Sequence, residues 1–194
     1  YKIKASQNKT HTGNEGYNFF MISAFPTSQS KIFDYNRVVK DLNSLSVNDF
    51  LINIKENFEC IYSSKSVRPS KIREFGMYYG GKWYLLKFKN EILLKNDILS
   101  KLDINIIDEF CLKPILGIKN ANTDDRIRFI AGCHGLEALE KKVNDNPDSV
   151  AFSIFPTQMD DVIKIADKNL TMPPKSTWFD PKPLDGLVVY EFNQ

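Results

Sequence analysis

The sequence predicts an α/β fold (α+β mixed): a mixed sheet with a β-hairpin at residues 74–89 and helices packed on the sheet. Three observations carry this expectation. In EFGMYYGGKWYLLKFK, Glu74 to Lys89, two strand-like runs flank Gly80-Gly81, a pair that tolerates the positive φ of a tight hairpin turn. Short apolar runs at Phe58–Tyr62, Ile127–Ile130 and Val150–Phe155 alternate with stretches of helical spacing. Hydrophobic residues make up 42% of the 194 and charged residues 26%, an ordinary globular balance that excludes wholesale disorder.

Taken in order, Lys2 to Gly16 is polar and glycine-punctuated, so residues 1–16 read as a flexible N-terminal arm and residues 17–194 as a single α/β domain. Tyr17 to Phe25 is nearly continuous in its apolarity, which predicts a strand buried on both faces. Ser46 with Asp49 resembles a helix cap, and Phe50, Leu51, Ile54 and Phe58 follow at helical spacing. Within the hairpin, Trp83, Leu85 and Phe88 do not share one alternating face, so a bulge is expected there. Asp103 to Leu116 reads as a helix with Ile104, Ile107, Cys111 and Ile115 on one stripe, ended by Pro114 and Gly117. Two more helices are expected at Leu136–Val143 and Met159–Ala166, and a last strand at Leu187–Phe192.

The 26 basic and 24 acidic residues leave a net charge of +2, which gives no electrostatic case for a nucleic-acid or membrane partner. The longest apolar runs, FFMISAF and GLVVYEF, are too short to span a bilayer as helices. Cys60, Cys111 and Cys133 are odd in number, far apart and without metal spacing, so unpaired thiols, no bound metal and a cytoplasmic setting are expected.

Two stretches carry candidate binding chemistry. The segment DDRIRFIAGCHG places Arg126 and Arg128 on a short strand that enters the turn Gly132 to Gly135 and a helix start. Backbone N–H groups there favour anions and arginine adds bidentate capacity; the competing reading is a structural turn with surface arginines. No phosphate-binding glycine motif accompanies it. The second stretch is TMPPKSTWFDPKP, Thr171 to Pro183. Its four prolines exclude helix interior and central strand, leaving a stiff loop. Either Lys175, Ser176, Thr177 and Lys182 hold a phosphate or carboxylate with little ordering cost, or Trp178 and Phe179 seal the core and the lysines are solvated. In the first case the loop is a wall of an anion-binding cleft near the Arg126–Gly135 turn. His134, Cys133 and the pairs Asp124-Asp125 and Asp160-Asp161 read better as turn, cap and surface residues than as catalytic or metal groups.

The segments DYNRVVKDL, FGMYYGGKWYLLKFK, LDINIIDEFCLKPILGI, DDRIRFIAGCHGLEALEKKV, VAFSIFPTQMDDVIKIAD and above all MPPKSTWFDPK resemble, in this order, the prokaryotic family called domain of unknown function 1015. The resemblance implies that relatives are about twice as long and carry upstream a D-G-H-H-R motif like that of ParB and sulfiredoxin. It also implies a link to phosphorylation of free serine, with ATP and Mg²⁺ as cofactors. D-G-H-H-R does not occur in this sequence, so the chain is expected to be the family's C-terminal portion, with the catalytic base upstream of it and the catalytic residues unassigned. Asn36 stands where relatives often show histidine. Under the enzyme reading, Arg37, Arg126, Arg128 and Lys175 neutralise phosphate oxygens, Ser176 and Thr177 bond them, and the ligand is a nucleotide or small anion. The alternative is a non-catalytic nucleotide- or metabolite-binding module.

Overall fold

The computed structural model describes residues 1–191. Among them are helices α1 (Lys2–Gln7), α2 (Val47–Asn57), α3 (Asp103–Ile107), α4 (Glu137–Asn144) and α5 (Met159–Asp167). The strands are β1 (Lys31–Phe33), β2 (Tyr35–Val39), β3 (Phe58–Ser63), β4 (Glu74–Tyr79), β5 (Lys82–Phe88), β6 (Ile127–Ala131), β7 (Val150–Ile154) and β8 (Trp178–Asp180). Strands β1 and β8 pair in a two-stranded sheet, and the other six form one sheet in the order β3-β5-β4-β7-β2-β6. Every pairing in the larger sheet is antiparallel. The chain therefore has the expected mixed α+β class, with the hairpin and the packed helices in place.

The chain divides into two units, Ile32–Phe179 and a second made of Tyr1–Lys31 with the residues from Asp180 onward. In the larger unit the strand alternation covers both faces of the sheet. Val39, Phe75, Met77, Leu86, Phe88 and Phe152 pack with Phe50 and Ile54 of α2 and with Ile107 and Cys111 on one face. Val38, Tyr78, Trp83 and Ala151 pack with Leu139 and Val143 of α4 on the other. This corrects the expected bulge. The β4–β5 register runs unbroken from Glu74↔Lys87 to Tyr79↔Lys82, and Trp83 and Leu85 face α4 while Leu86 and Phe88 face α2. The Trp83 indole is hydrogen-bonded as well, donating to the Glu140 carboxylate at 2.7 Å.

Ser46 caps α2 as its sequence suggests, accepting the Asp49 N–H at 3.1 Å. The helix that starts at Asp103 changes character after Ile107: Asp108–Leu112 is π-helical, and the Lys113 N–H reaches back five residues to the Asp108 carbonyl. Cys111 is buried in this segment, Cys60 is half-buried and Cys133 exposed; burial raises the Cys111 and Cys60 thiol pKa values above the ordinary one.

In the smaller unit, Glu15 organises the residues read as an arm. Its carboxylate accepts the Thr12 and Gly13 N–H groups at 2.6 and 2.9 Å, and these bonds, the Thr12 one foremost, hold its pKa down to about 2. The Tyr17 hydroxyl bonds Asn8 and His11 at 2.9 and 3.0 Å. The strand expected at Tyr17–Phe25 is not formed: Gly16–Asn18 is a 3₁₀ turn, and Phe20 and Ile22 are 82% and 72% exposed. A strand needs an edge to pair with, and no backbone hydrogen bond among the described residues reaches Phe20–Phe25. Leu187–Glu191 likewise forms no strand, and Phe192 lies outside the described residues.

Candidate functional site

Because β2 runs antiparallel to both neighbours, its first residues lie beside the last residues of β6 and β7. Three connections meet there: Asp34 leading into β2, the Gly132 turn after β6, and Phe155-Pro156-Thr157 after β7. The side chain that dominates this end of the sheet is Arg37, which is 1% exposed. Its Nη1 donates to the Tyr35 carbonyl at 2.5 Å and its Nη2 to the Lys175 carbonyl at 3.2 Å. The guanidinium lies 4.6 Å from the Phe129 ring centroid, a cation–π contact.

Arg37 Nε is buried without a hydrogen-bond partner, and so is Oδ1 of Asp108, at the start of the π-helical segment. Burial draws the Arg37 pKa down to about 10, opposed by the Asp108 charge, so the side chain is cationic at neutral pH. Burial raises the Asp108 pKa in turn, opposed by Arg37. Each buried charge thus relies on the other.

The Lys175 loop is fixed by its backbone. Lys175 sits at φ 54°, a left-handed conformation that costs about 1–2 kcal/mol for a residue other than glycine. Its carbonyl is taken by Arg37, and the Ser176 carbonyl accepts the Thr157 hydroxyl at 3.0 Å. Ser176 is buried, Thr177 half-buried and Lys175 exposed, with its ammonium 5.7 Å from the Tyr35 ring centroid. Trp178 meets Tyr35 edge-on at 5.5 Å.

The structure therefore brings Arg37, Lys175, Ser176 and Thr177 together. Gly132 stands at the same end of the sheet: its N–H donates to the Asp34 carbonyl at 2.8 Å, and a Cβ there would overlap the Asp34 carboxylate, which pairs with Arg68 at 3.1 Å. Gly135 closes the short 3₁₀ turn that leads to α4. Arg126 lies at the opposite end of β6, beside Lys40, about 10 Å along β2 from Arg37 at ~3.4 Å per residue. Its guanidinium is occupied by Asp41 and Asp124 at 3.2 and 3.1 Å and by the carbonyls of Leu116 and Gly117. Arg128 is exposed and donates to the Ile127 carbonyl. Lys182 belongs to the smaller unit.

Sequence reasoning missed Tyr35, Asp108, Phe129 and Thr157. Asp108 had a signal: it lies four residues after Ile104 and three before Cys111, on the buried stripe of its helix. Asn36 accepts the Ile154 N–H at 3.0 Å through Oδ1, and its Nδ2 is buried without a partner.

The sequence model of the family described as protein of unknown function (DUF1015) matches residues 1–105, more than half of the chain. The chain belongs to this family. The matched part of this DUF1015 protein contains Arg37 but not the Lys175–Thr177 loop. No curated protein matches it. Solved structures similar to this chain include a free serine kinase mutant in complex with AMP, 16% identical with a TM-score of 0.43, covering 79% of this chain and 55% of the kinase. Another, in complex with ADP, is 15% identical with the same TM-score and coverage. SbnI with a C-terminal truncation, from Staphylococcus aureus, is 10% identical with a TM-score of 0.44, covering 86% of this chain and 55% of that one. The chain thus spans about half the length of these structures, and likeness at these scores carries no argument about its activity.

Proposed function

We propose that this chain supplies the phosphate-facing wall of a nucleotide-dependent phosphotransferase acting on a small hydroxy amino acid such as free serine. One observation carries the reading: Arg37, buried and cationic, holds the Lys175 carbonyl and so fixes an exposed ammonium on a backbone already shaped around it. Phosphoryl transfer is mostly positioning and charge stabilisation, and a cation on a pre-ordered loop meets phosphate oxygens with little entropy left to lose. Arg37 is then a positioning residue and Lys175 the ligand contact, with Thr177 beside it. ATP is the donor in this reading. Among the described residues no three His, Cys, Asp or Glu side chains cluster as a metal cradle, so Mg²⁺ would arrive on the phosphates.

A second reading, a nucleotide- or metabolite-binding module without chemistry, is favoured by a specific feature. Two carboxylates at this end of the sheet, Asp34 and Asp108, are both largely buried, the first paired with Arg68 and the second answering Arg37, so neither is placed as a base for a substrate hydroxyl. Measuring phosphoserine formation and nucleotide affinity in the full-length gene product separates the two. The phosphotransferase reading expects phosphoserine from ATP and serine, and Lys175→Ala should weaken nucleotide binding by about 1.5–3 kcal/mol, roughly ten- to a hundredfold. Nucleotide binding without phosphoserine selects the second reading. Unchanged affinity in Lys175→Ala makes the loop structural and removes the site.

A further inference from the structure

Beside the Lys175 loop lies a separate cavity of 210 Å³, lined among others by Arg73, Asp103, Phe155, Thr157, Asp161 and Lys164. Its size falls below the ~300–1,000 Å³ of pockets that take drug-sized ligands. That size suits a small metabolite rather than a nucleotide.

The charges around it fall into two groups. Arg73 and Asp103 satisfy each other: the Asp103 carboxylate accepts the Arg73 backbone N–H at 3.1 and 3.0 Å and its Nη1 at 2.7 Å. Arg73 Nε is buried without a hydrogen bond and forms an ion pair with the Glu91 carboxylate at 4.0 Å. Asp161 and Lys164 lie on α5, where the Asp161 charge acts on Asp103 through space. The cavity thus offers the Asp161 carboxylate, the Lys164 ammonium and an Arg73 N–H that no hydrogen bond uses, with Leu102 and Phe155 as apolar lining; its other lysine, Lys101, donates to Asn96 at 2.9 Å. A ligand that answers all of them carries a cation and a carboxylate a few bonds apart.

We infer that this cavity binds a free α-amino acid, its ammonium on Asp161 and its carboxylate on Lys164 and Arg73 Nε. The choice of a hydroxylated amino acid rests on the phosphotransferase reading above, because Thr157, which lines the cavity, also holds the Ser176 carbonyl next to Lys175. A side-chain hydroxyl turned towards Thr157 faces the proposed phosphate wall.

The test is calorimetric titration of the full-length protein, without nucleotide, with L-serine, with 3-hydroxypropionate (no ammonium) and with ethanolamine (no carboxylate). L-serine should bind more tightly than either analogue. Asp161→Asn should weaken L-serine by about tenfold or more while leaving 3-hydroxypropionate unchanged, and Lys164→Ala should weaken L-serine while leaving ethanolamine unchanged. Both residues lie on partly or fully exposed helix positions, and circular dichroism checks that the variants fold. L-serine binding equal to wild type in both variants overturns the assignment, even if phosphoserine is formed. Amino-acid binding that follows the expected pattern without phosphoserine keeps the cavity and rejects the phosphotransferase. No L-serine binding by the wild type rejects the cavity, and an accompanying absence of phosphoserine rejects both.

Discussion

Two carboxylates near the candidate site are buried against arginines, and they differ in what they lose to burial. Asp103 takes three hydrogen bonds from Arg73, yet desolvation outweighs them and raises its pKa to about 6. The unfolded value is about 3.9, so between these values the native state keeps a proton that the unfolded chain has released. The stability this group contributes is fully present below about pH 4 and is lost as the pH rises through about 6, a change of about 3 kcal/mol. Asp103→Asn cannot titrate and serves as the reference. Urea unfolding of both proteins from pH 4 to pH 7 should show the wild type losing about 2 kcal/mol relative to the variant. A constant difference across that range would mean that Asp103 is ionised throughout and that the Arg73 bonds win. Asp108 has the same directional shift but answers Arg37 through space, each group keeping one buried atom unbonded.

At the level of elements, the sheet sets close approaches that only certain residues allow. Gly76 of β4 lies opposite Ser153 of β7, and a Cβ there would overlap the Ser153 hydroxyl and the Val67 carbonyl that this hydroxyl bonds at 2.6 Å. Gly76→Ala should therefore lower stability by about 1–3 kcal/mol, the usual cost of overpacking. Gly76→Ala combined with Ser153→Ala should recover part of the loss in the same denaturation assay, and no recovery would place the strain at Val67 instead. The sequence made some of these elements plain and hid others, for physical reasons. The hairpin, α2, β7 and α5 are written in local pattern: a Gly-Gly turn, a Ser cap, an apolar run, a helical stripe. The Lys175 loop was legible as a stiff loop because proline limits the backbone wherever it sits. What anchors it, the Arg37 and Thr157 bonds, was not, since those contacts span 138 and 19 residues. Strand direction was equally hidden, and with it the separation of Arg126 from Arg37. The π-helical turn at Asp108 has no sequence period of its own. Tyr17–Phe25 misled because apolar run and β-propensity describe a willing strand, while the edge it requires is a non-local fact.

For the molecule as a whole, apolar burial is unevenly shared between the two units. Among the described residues, the three clusters of buried side chains are drawn from Val38 to Ile165, within the unit Ile32–Phe179. The smaller unit instead exposes Phe19, Phe20, Met21, Ile22 and Phe25, and Leu184 to Tyr190 adds five more large apolar residues. Protection from hydrogen exchange follows hydrogen bonding and burial, so opening free energies should differ widely along the chain. Strand β7 is laddered on both sides, to β4 and β2, and all five of its residues are buried. Its amides should exchange only through global unfolding. Phe20 to Phe25 have no backbone hydrogen bond among the described residues and should exchange at nearly unprotected rates. Hydrogen-exchange mass spectrometry on the 194-residue chain resolves both peptides in one experiment. Slow exchange of Phe19–Phe25, matching Val150–Ile154, would show that this apolar stretch is covered in solution, by a second copy of the chain or by a pairing the structure does not contain. Fast exchange there with a protected β7 would place the stability of this chain in the unit that carries Arg37 and the Lys175 loop.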